Sequence, residues 1–205
     1  MGTIMHNTFN PHDYFDETYV REWTREANVK RPFRTDFFDA FIAELSHLSQ
    51  ANVLDLGSGP GFLAEQILAR TDAAAYHLFD FSPLMLDLSR ARLAPFGERV
   101  CFHQGSFLEP VWWQSLPAPF DAVVSMQAVH ELRDATRIPT LYRELHALLA
   151  PGGLALIADL VNAAEVTEAH LLTAIENQAA LREAGFQEVR QVHAVADVAL
   201  FAARH

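Results

Sequence analysis

The chain has 205 residues, half of them hydrophobic and a fifth charged, a balance that points to a globular fold of one domain. Folding at this length buries roughly 70% of the surface an unfolded chain exposes, so the core needs no covalent staples. Cys101 is the only cysteine, which excludes an intramolecular disulfide and a multi-cysteine zinc site and fits a reducing compartment. Lys and Arg number 15 against 26 Asp and Glu, a net charge of −11, so the basic footprint that phosphate-backbone binding needs is missing and no nucleic-acid partner is expected.

The longest uncharged apolar stretch, Leu145 to Ala158, is interrupted by Pro151-Gly152-Gly153 and is too short to span a bilayer. The N-terminus has no basic-then-apolar signal layout. Gly2 is followed by His6, where a myristoylation motif needs Ser or Thr. A soluble, cytoplasmic protein with no membrane partner is the expectation.

In chain order, aromatic residues come first. Phe9, Tyr14, Phe15, Tyr19, Trp23, Phe33, Phe37, Phe38 and Phe41 place nine of the 22 aromatics within 41 residues. Helices are predicted over 12–28 and 35–49. In the second, Phe37, Phe38, Phe41, Ile42, Leu45 and Leu48 recur at helical spacing, with Thr35 or Asp36 as a cap. From Asn52 onward, β-rich runs (53–56, 75–80, 99–104, 121–125, 153–159) alternate with helical stretches (61–70, 83–94, 136–149, 164–184). That alternation predicts βαβ units and a parallel sheet with helices on both faces. Ser82-Pro83 marks a helix start, and Pro151-Gly152-Gly153 is read as a helix stop. Runs at 187–195 and 197–204 predict an antiparallel hairpin that closes the chain.

The segment that carries chemistry is Val53-Leu54-Asp55-Leu56-Gly57-Ser58-Gly59-Pro60-Gly61, an apolar strand entering three glycines at alternate positions and then a helix. Without Cβ atoms the backbone turns tightly and a ligand can approach it closely, and open parallel sheets bind ligands past the carboxyl ends of their strands. Asp55 ends the first strand, aimed into that crevice. Asp80 ends the second, 19 residues after Gly61, where an acidic side chain takes ribose hydroxyls. Glycines alone fit an ordinary strand-to-helix turn equally well; the two aspartates break the tie.

The strings LDLGSGPG, FDFSPLML, FDAVVSMQAVHEL, LAPGG and LREAGF, in that order over residues 50–205, resemble the class I S-adenosylmethionine-dependent methyltransferases. The resemblance implies a three-layer αβα Rossmann-like α/β fold whose seven-stranded, mostly parallel sheet has an antiparallel last strand. It also implies S-adenosyl-L-methionine as cofactor, with S-adenosyl-L-homocysteine as product. One domain would cover 1–205, with 1–50 as an N-terminal helical extension and lid, and 51–205 as the cofactor-binding core.

By this resemblance Asp55 faces the methionyl amino group through water, while Gly57, Ser58, Gly59 and Gly61 line the methionyl and ribose path. Asp80 holds the ribose hydroxyls and Phe81 packs on the adenine. Ser106 stands where many relatives have an aspartate for the adenine amine and, being neutral, holds it more weakly; Phe107 supplies packing. Met126 and Gln127 border the methyl group. The stretch Ser125-Met126-Gln127-Ala128 replaces the Asn/Asp-Pro-Pro-aromatic signature of nucleobase amine methylation, which argues against a DNA substrate.

His130 is the candidate base, its ordinary pKa lying near neutrality, although a histidine that packs under the loop fits the same spacing. Glu131 is read as a solvated loop carboxylate. Tyr14, Tyr19 and Trp23, close to one helical face, are candidates for the acceptor pocket together with His130, while plain core packing is the alternative for such aromatics. A short connection after the fifth strand, Asp159 to Asn162, leaves no room for a large insertion and favours a small acceptor over a protein. No histidine or carboxylate spacing suggests a metal site.

The expectation is methyl transfer by in-line displacement to an O, N or C atom of a small, apolar or aromatic acceptor. Two alternatives remain. A non-catalytic cofactor-binding module would keep the same residues. A nicotinamide-dependent oxidoreductase would use Gly59-Pro60-Gly61-Phe62-Leu63-Ala64, but Pro60 removes a backbone donor from a loop that must face a pyrophosphate.

Overall fold

The order of elements follows the alternation written in the sequence. The computed structural model describes residues 13–162 and 168–205. Helix α1 (Glu17–Lys30) and helix α2 (Arg34–Leu45) precede strand β1 (Asn52–Leu56), helix α3 (Phe62–Arg70), strand β2 (Ala75–Asp80), helix α4 (Pro83–Leu93) and strand β3 (Val100–Gln104). Strand β4 (Phe120–Met126), helix α5 (Ile138–Leu148), strand β5 (Leu149–Leu160), helix α6 (Ala174–Glu183), and strands β6 (Gln187–Val195) and β7 (Val198–Arg204) complete the chain.

The seven strands form one sheet in the order β3-β2-β1-β4-β5-β7-β6. All pairs up to β5 are parallel, and β7 lies antiparallel between β5 and β6. The order reverses between β1 and β4, and at such a switch point the flanking connections leave to opposite sides and open a crevice at the carboxyl ends. Alternate residues of each strand feed two cores, one per face. Val53, Tyr76, Val124, Leu156 and Leu200 join α2 and α3 on one face; Leu54, Leu56, Val123, Ile157 and Phe201 join α5 and α6 on the other. Among the described residues no helix is long and apolar enough to cross a membrane.

Local chemistry sets most boundaries. Asp16 caps α1 by accepting from the Tyr19 N–H. Ser82 accepts from the Met85 N–H, with Pro83 opening α4. The predicted Thr35 or Asp36 cap is not used: α2 starts at Arg34 behind Phe33 with no side-chain cap. Pro151-Gly152-Gly153 does not stop a helix. Helix α5 has already ended at Leu148, and these residues form an irregularity inside β5, where the pairing jumps from Phe120–Leu149 to Ala122–Leu154.

The last helix is shorter than its apolar pattern predicts. A capping box, in which Thr173 and Glu176 satisfy each other's backbone N–H, starts it at Ala174. Ahead of that box the Asn162 amide nitrogen donates to the Glu168 and Leu171 carbonyls, at 2.9 and 2.7 Å. The described residues between β5 and α6, 161–162 and 168–173, are not helical, so 13 residues separate β5 from α6 and a short link ceases to be an argument for a small acceptor. The expected helical residues 164–167, and Phe9 with residue 12 of the expected N-terminal helix, lie outside the described residues; residues 13–16 are described and precede α1, which starts only at Glu17.

The described residues of the N-terminal 50 play two parts. Helix α2 buries Phe37, Phe38, Phe41, Ile42 and Leu45 in the core of one sheet face, so it is an integral layer. Among the described residues, the segment around Tyr14 reaches the sheet's carboxyl edge at Phe81, Ser82 and Glu131, and Arg34 at the start of α2 reaches it at Gln127.

Candidate functional site

The ends of β1, β2, β4 and β5 meet at the crevice. Gly57, Gly59 and Gly61 have φ of +68°, +55° and +78°, a region that side chains with a Cβ rarely adopt. At Gly57 space is a second constraint: a Cβ there would lie 2.3 Å from the Ala128 Cβ, so the loop after β1 presses on the loop after β4. The Gly57 and Ser58 N–H groups both donate to the Phe79 carbonyl, at 2.8 and 3.2 Å, which ties the turn to β2. Ser58 is buried and its hydroxyl has no protein partner among the described residues.

Asp80 is 6% exposed at the end of β2. The Gly59 N–H donates to its Oδ2 at 2.8 Å and the Ser82 N–H to its Oδ1 at 2.9 Å. Burial pushes its carboxyl up to about 6, against the pull of those backbone donors. An ionised carboxylate offers about four lone-pair positions, so two remain, enough for a vicinal diol. Asp55 is 1% exposed. It accepts the Tyr76 hydroxyl at 3.0 Å, a partner not foreseen from sequence, and burial raises its carboxyl to about 7.

Phe81 meets the N-terminal segment rather than open space: Tyr14 and Phe15 contact its ring edge-on at 5.7 and 5.6 Å. Ser106 accepts the Leu108 N–H at 3.2 Å, so part of its acceptor capacity serves its own turn. Phe107 lies beside the glycine loop, its Cε1 3.8 Å from where a Gly57 Cβ would stand. Gly105 was missed: a Cβ there would come within 2.9 Å of the Phe79 ring, so only glycine lets the chain pass. Met126 is buried at the end of β4. Gln127 follows at φ +56° and its N–H donates to the Ala158 carbonyl at 2.7 Å, and its side-chain oxygen accepts from Arg34 Nη1 at 3.4 Å.

His130 stands in a network that sequence reasoning did not assemble. Its Nδ1 lies 2.6 Å from Asp159 Oδ1, while Asp159 Oδ2 accepts the backbone N–H groups of Val129 and His130. Burial would lower the imidazole pKa, but the charge and hydrogen bond of Asp159, helped by Glu131, raise it above its ordinary value. Asp159 was legible only as a carboxylate at a strand end; nothing in the sequence pairs it with His130.

Glu131 is not a solvated carboxylate. Its side chain is 18% exposed, with Oε1 3.7 Å from His130 Nε2 and Oε2 3.3 Å from Arg133. Its Oε1 also accepts the Tyr14 hydroxyl at 3.2 Å. Tyr14 precedes α1 instead of lying on its face and gathers Tyr19 and Trp23 edge-on at 5.7 and 6.4 Å. Burial, then Glu131, raises its phenol well above the ordinary range. Ser82 donates to the Tyr14 carbonyl at 2.6 Å, fastening this segment over the crevice. The pocket candidates Tyr14 and Tyr19 are thus gathered near Glu131 and His130. Among the described residues no three His, Cys, Asp or Glu side chains converge as a metal site requires.

A doubly wound sheet with β7 reversed, a glycine turn after β1 and a carboxylate closing β2 defines a Rossmann-like methyltransferase fold. A family model described as a methyltransferase domain matches residues 53–153. That match, with the fold, supports a class I S-adenosylmethionine-dependent methyltransferase. The chain is 34% identical over 110 residues to the uncharacterized methyltransferase YdaC of Bacillus subtilis, a match covering 52% of this chain and 54% of that protein. The chain spans 5%, 50% and 34% of the length of three other curated relatives. Among solved structures, an O-methyltransferase family protein from Burkholderia thailandensis superposes with a TM-score of 0.73 at 21% identity, covering 94% of this chain and 61% of that one. Human N-acetylserotonin methyltransferase, solved with S-adenosylmethionine, gives 0.70 at 18% identity over 93% of this chain and 57% of that one.

Proposed function

We propose that the chain transfers a methyl group from S-adenosylmethionine to a small, apolar or aromatic acceptor at an O, N or C atom. The observation that carries the reading is the Asp80 carboxylate at the end of β2, held by two backbone N–H groups with two lone-pair positions left for ribose hydroxyls. When bound, the cofactor supplies a methyl group already activated by its sulfonium, so the protein's task is mainly to position, orient and exclude water. Gly57, Ser58, Gly59 and Gly61 shape the path beside Asp55, and the unpartnered Ser58 hydroxyl is a fitting donor. Phe81, Ser106 and Phe107 take the adenine side, and Met126 and Gln127 border the reacting end. Tyr14, Tyr19 and Trp23 wall the acceptor.

Where the acceptor must lose a proton, His130 takes it at Nε2, because Nδ1 is engaged by Asp159. Asp159 then acts as a positioning residue. Calorimetry with S-adenosylhomocysteine and with NADH tests the cofactor: binding of NADH alone overturns the reading. With an acceptor found by labelled methyl transfer to a panel of small aromatic compounds, His130→Ala is expected to leave S-adenosylhomocysteine affinity unchanged. Turnover should fall about a hundredfold or more. Undiminished turnover removes His130 as base, and cofactor binding without turnover on any panel favours a non-catalytic module.

A further inference from the structure

Helix α1 lines a cleft of about 530 Å³, within the range of small-molecule sites (roughly 300–1,000 Å³). Tyr19 and Trp23 give it an aromatic wall, and Glu22, Glu26, Lys30 and Arg31 supply the charges along it. Three of these four charges are answered from within the helix. Lys30 pairs with Glu26 one turn back, and Arg25 lies 3.7 Å from Glu22 and 3.9 Å from Glu26. Arg31 differs. It follows α1 as the C-cap, half-buried, and among the described residues no ion pair or side-chain hydrogen bond engages its guanidinium.

The position of Arg31 ties the cleft to the reacting end. Its charge is near enough to act on both Tyr19 and the His130 imidazole, and Arg34, three residues on, reaches Gln127. The carboxylates beside His130 are already engaged: Glu131 by Tyr14 and Arg133, Asp159 by His130 and two backbone N–H groups. A guanidinium carries five N–H donors and no acceptor. Set beside two aromatic side chains and an imidazole, with those carboxylates taken, it is the complement of a flat ring that brings its own anion.

We infer that Arg31 binds a carboxylate carried by the methyl acceptor, an aromatic acid seated against Tyr19 and Trp23 with its nucleophilic atom toward His130. The inference rests on the methyl-transfer reading above and names its acceptor class. A guanidinium meets a carboxylate through two parallel hydrogen bonds, which fixes the direction of the ring as well as selecting its charge. Half-burial suits this use, since a fully exposed charge pair contributes little and a fully buried guanidinium is costly to leave without an anion.

Calorimetry on the protein saturated with S-adenosylhomocysteine tests it, with a panel of one- and two-ring aromatic carboxylates and the matching neutral primary amides. The wild-type protein is expected to bind at least one acid about tenfold or more tighter than its amide. Arg31→Gln should bring that acid and amide to within about twofold by weakening the acid alone, with Arg31→Lys between the two. Lys30→Gln removes a cation from the same cleft but should keep the preference, because Lys30 is held by Glu26. Amides that bind as tightly as acids, binding by neither series, a preference that survives Arg31→Gln, or one lost equally in Lys30→Gln overturns the inference. Absence of S-adenosylhomocysteine binding overturns the cofactor reading itself, which is a different result.

Discussion

The loop after β1 and the loop after β4 touch at Gly57 and Ala128, yet they are held by opposite means. The first carries its instructions in its own residues: three glycines with positive φ, and an aspartate closing the next strand that takes the Gly59 N–H. The second is held from afar. Asp159, 29 residues on, fixes the His130 ring; Arg34, 93 residues back, meets Gln127; and Tyr14, 117 residues back, meets Glu131. A loop of the first kind is recognisable from local residue types, and one of the second kind is not. In this chain the proposed cofactor side is mainly of the first kind and the proposed acceptor side of the second.

The largest expected effect breaks the first loop. Gly57→Ala combines a left-handed backbone with a Cβ 2.3 Å from Ala128, and should cost roughly 2–6 kcal/mol in denaturant unfolding. Ala128→Gly in the same chain should return the part due to the clash and leave the backbone part. A loss below about 1 kcal/mol for Gly57→Ala would show that this loop is not locally specified.

A smaller effect is expected at Asp80. In Asp80→Asn the amide NH2 must face the N–H of either Gly59 or Ser82, and S-adenosylhomocysteine affinity should fall at least about tenfold. The wild-type affinity should also weaken as pH drops through about 6, where Asp80 takes up a proton. The ligand-free protein should show the converse in thermal melts. Its Asp55 and Asp80 carboxyls, raised to about 7 and about 6, stay protonated after the unfolded chain has ionised near 3.9. Stability is therefore lost as pH rises from about 4 through those values.

The mildest change sharpens the second loop. Asp159→Asn removes the charge that raises the His130 pKa. Because the base must be neutral, the rise of kcat/KM with pH should move to lower pH, and His130 should titrate lower by NMR. A profile that stays in place would separate Asp159 from the proton step and leave it only its backbone bonds to Val129 and His130.

Much of the architecture was legible because its causes are local. Period-two and helical apolar patterns predicted the strands and most helices, and the Ser82-Pro83 start and the closing hairpin appear as read. The misreadings have a common origin. Pro151-Gly152-Gly153 suits a helix end and a strand irregularity equally, and only pairing with β4 decides between them. The apolar pattern ahead of Ala174 is overruled by the Asn162 amide and by the Thr173–Glu176 box, a signal that was present and passed over. Glu131 looked solvated because nothing near it in sequence reveals Tyr14 or Arg133.

Sequence alone determined what depends on a residue and its immediate neighbours: which positions tolerate positive φ, where strands end in carboxylates, and which faces are apolar. Tertiary structure alone decided which distant groups meet. It divided the N-terminal aromatics between core and crevice, coupled His130 to Asp159, and left Arg34 buried without an anion. The reason is range. Backbone sterics and side-chain periodicity act within a few residues and leave a mark there, whereas burial, charge pairing and long hydrogen bonds depend on how the layers close over one another.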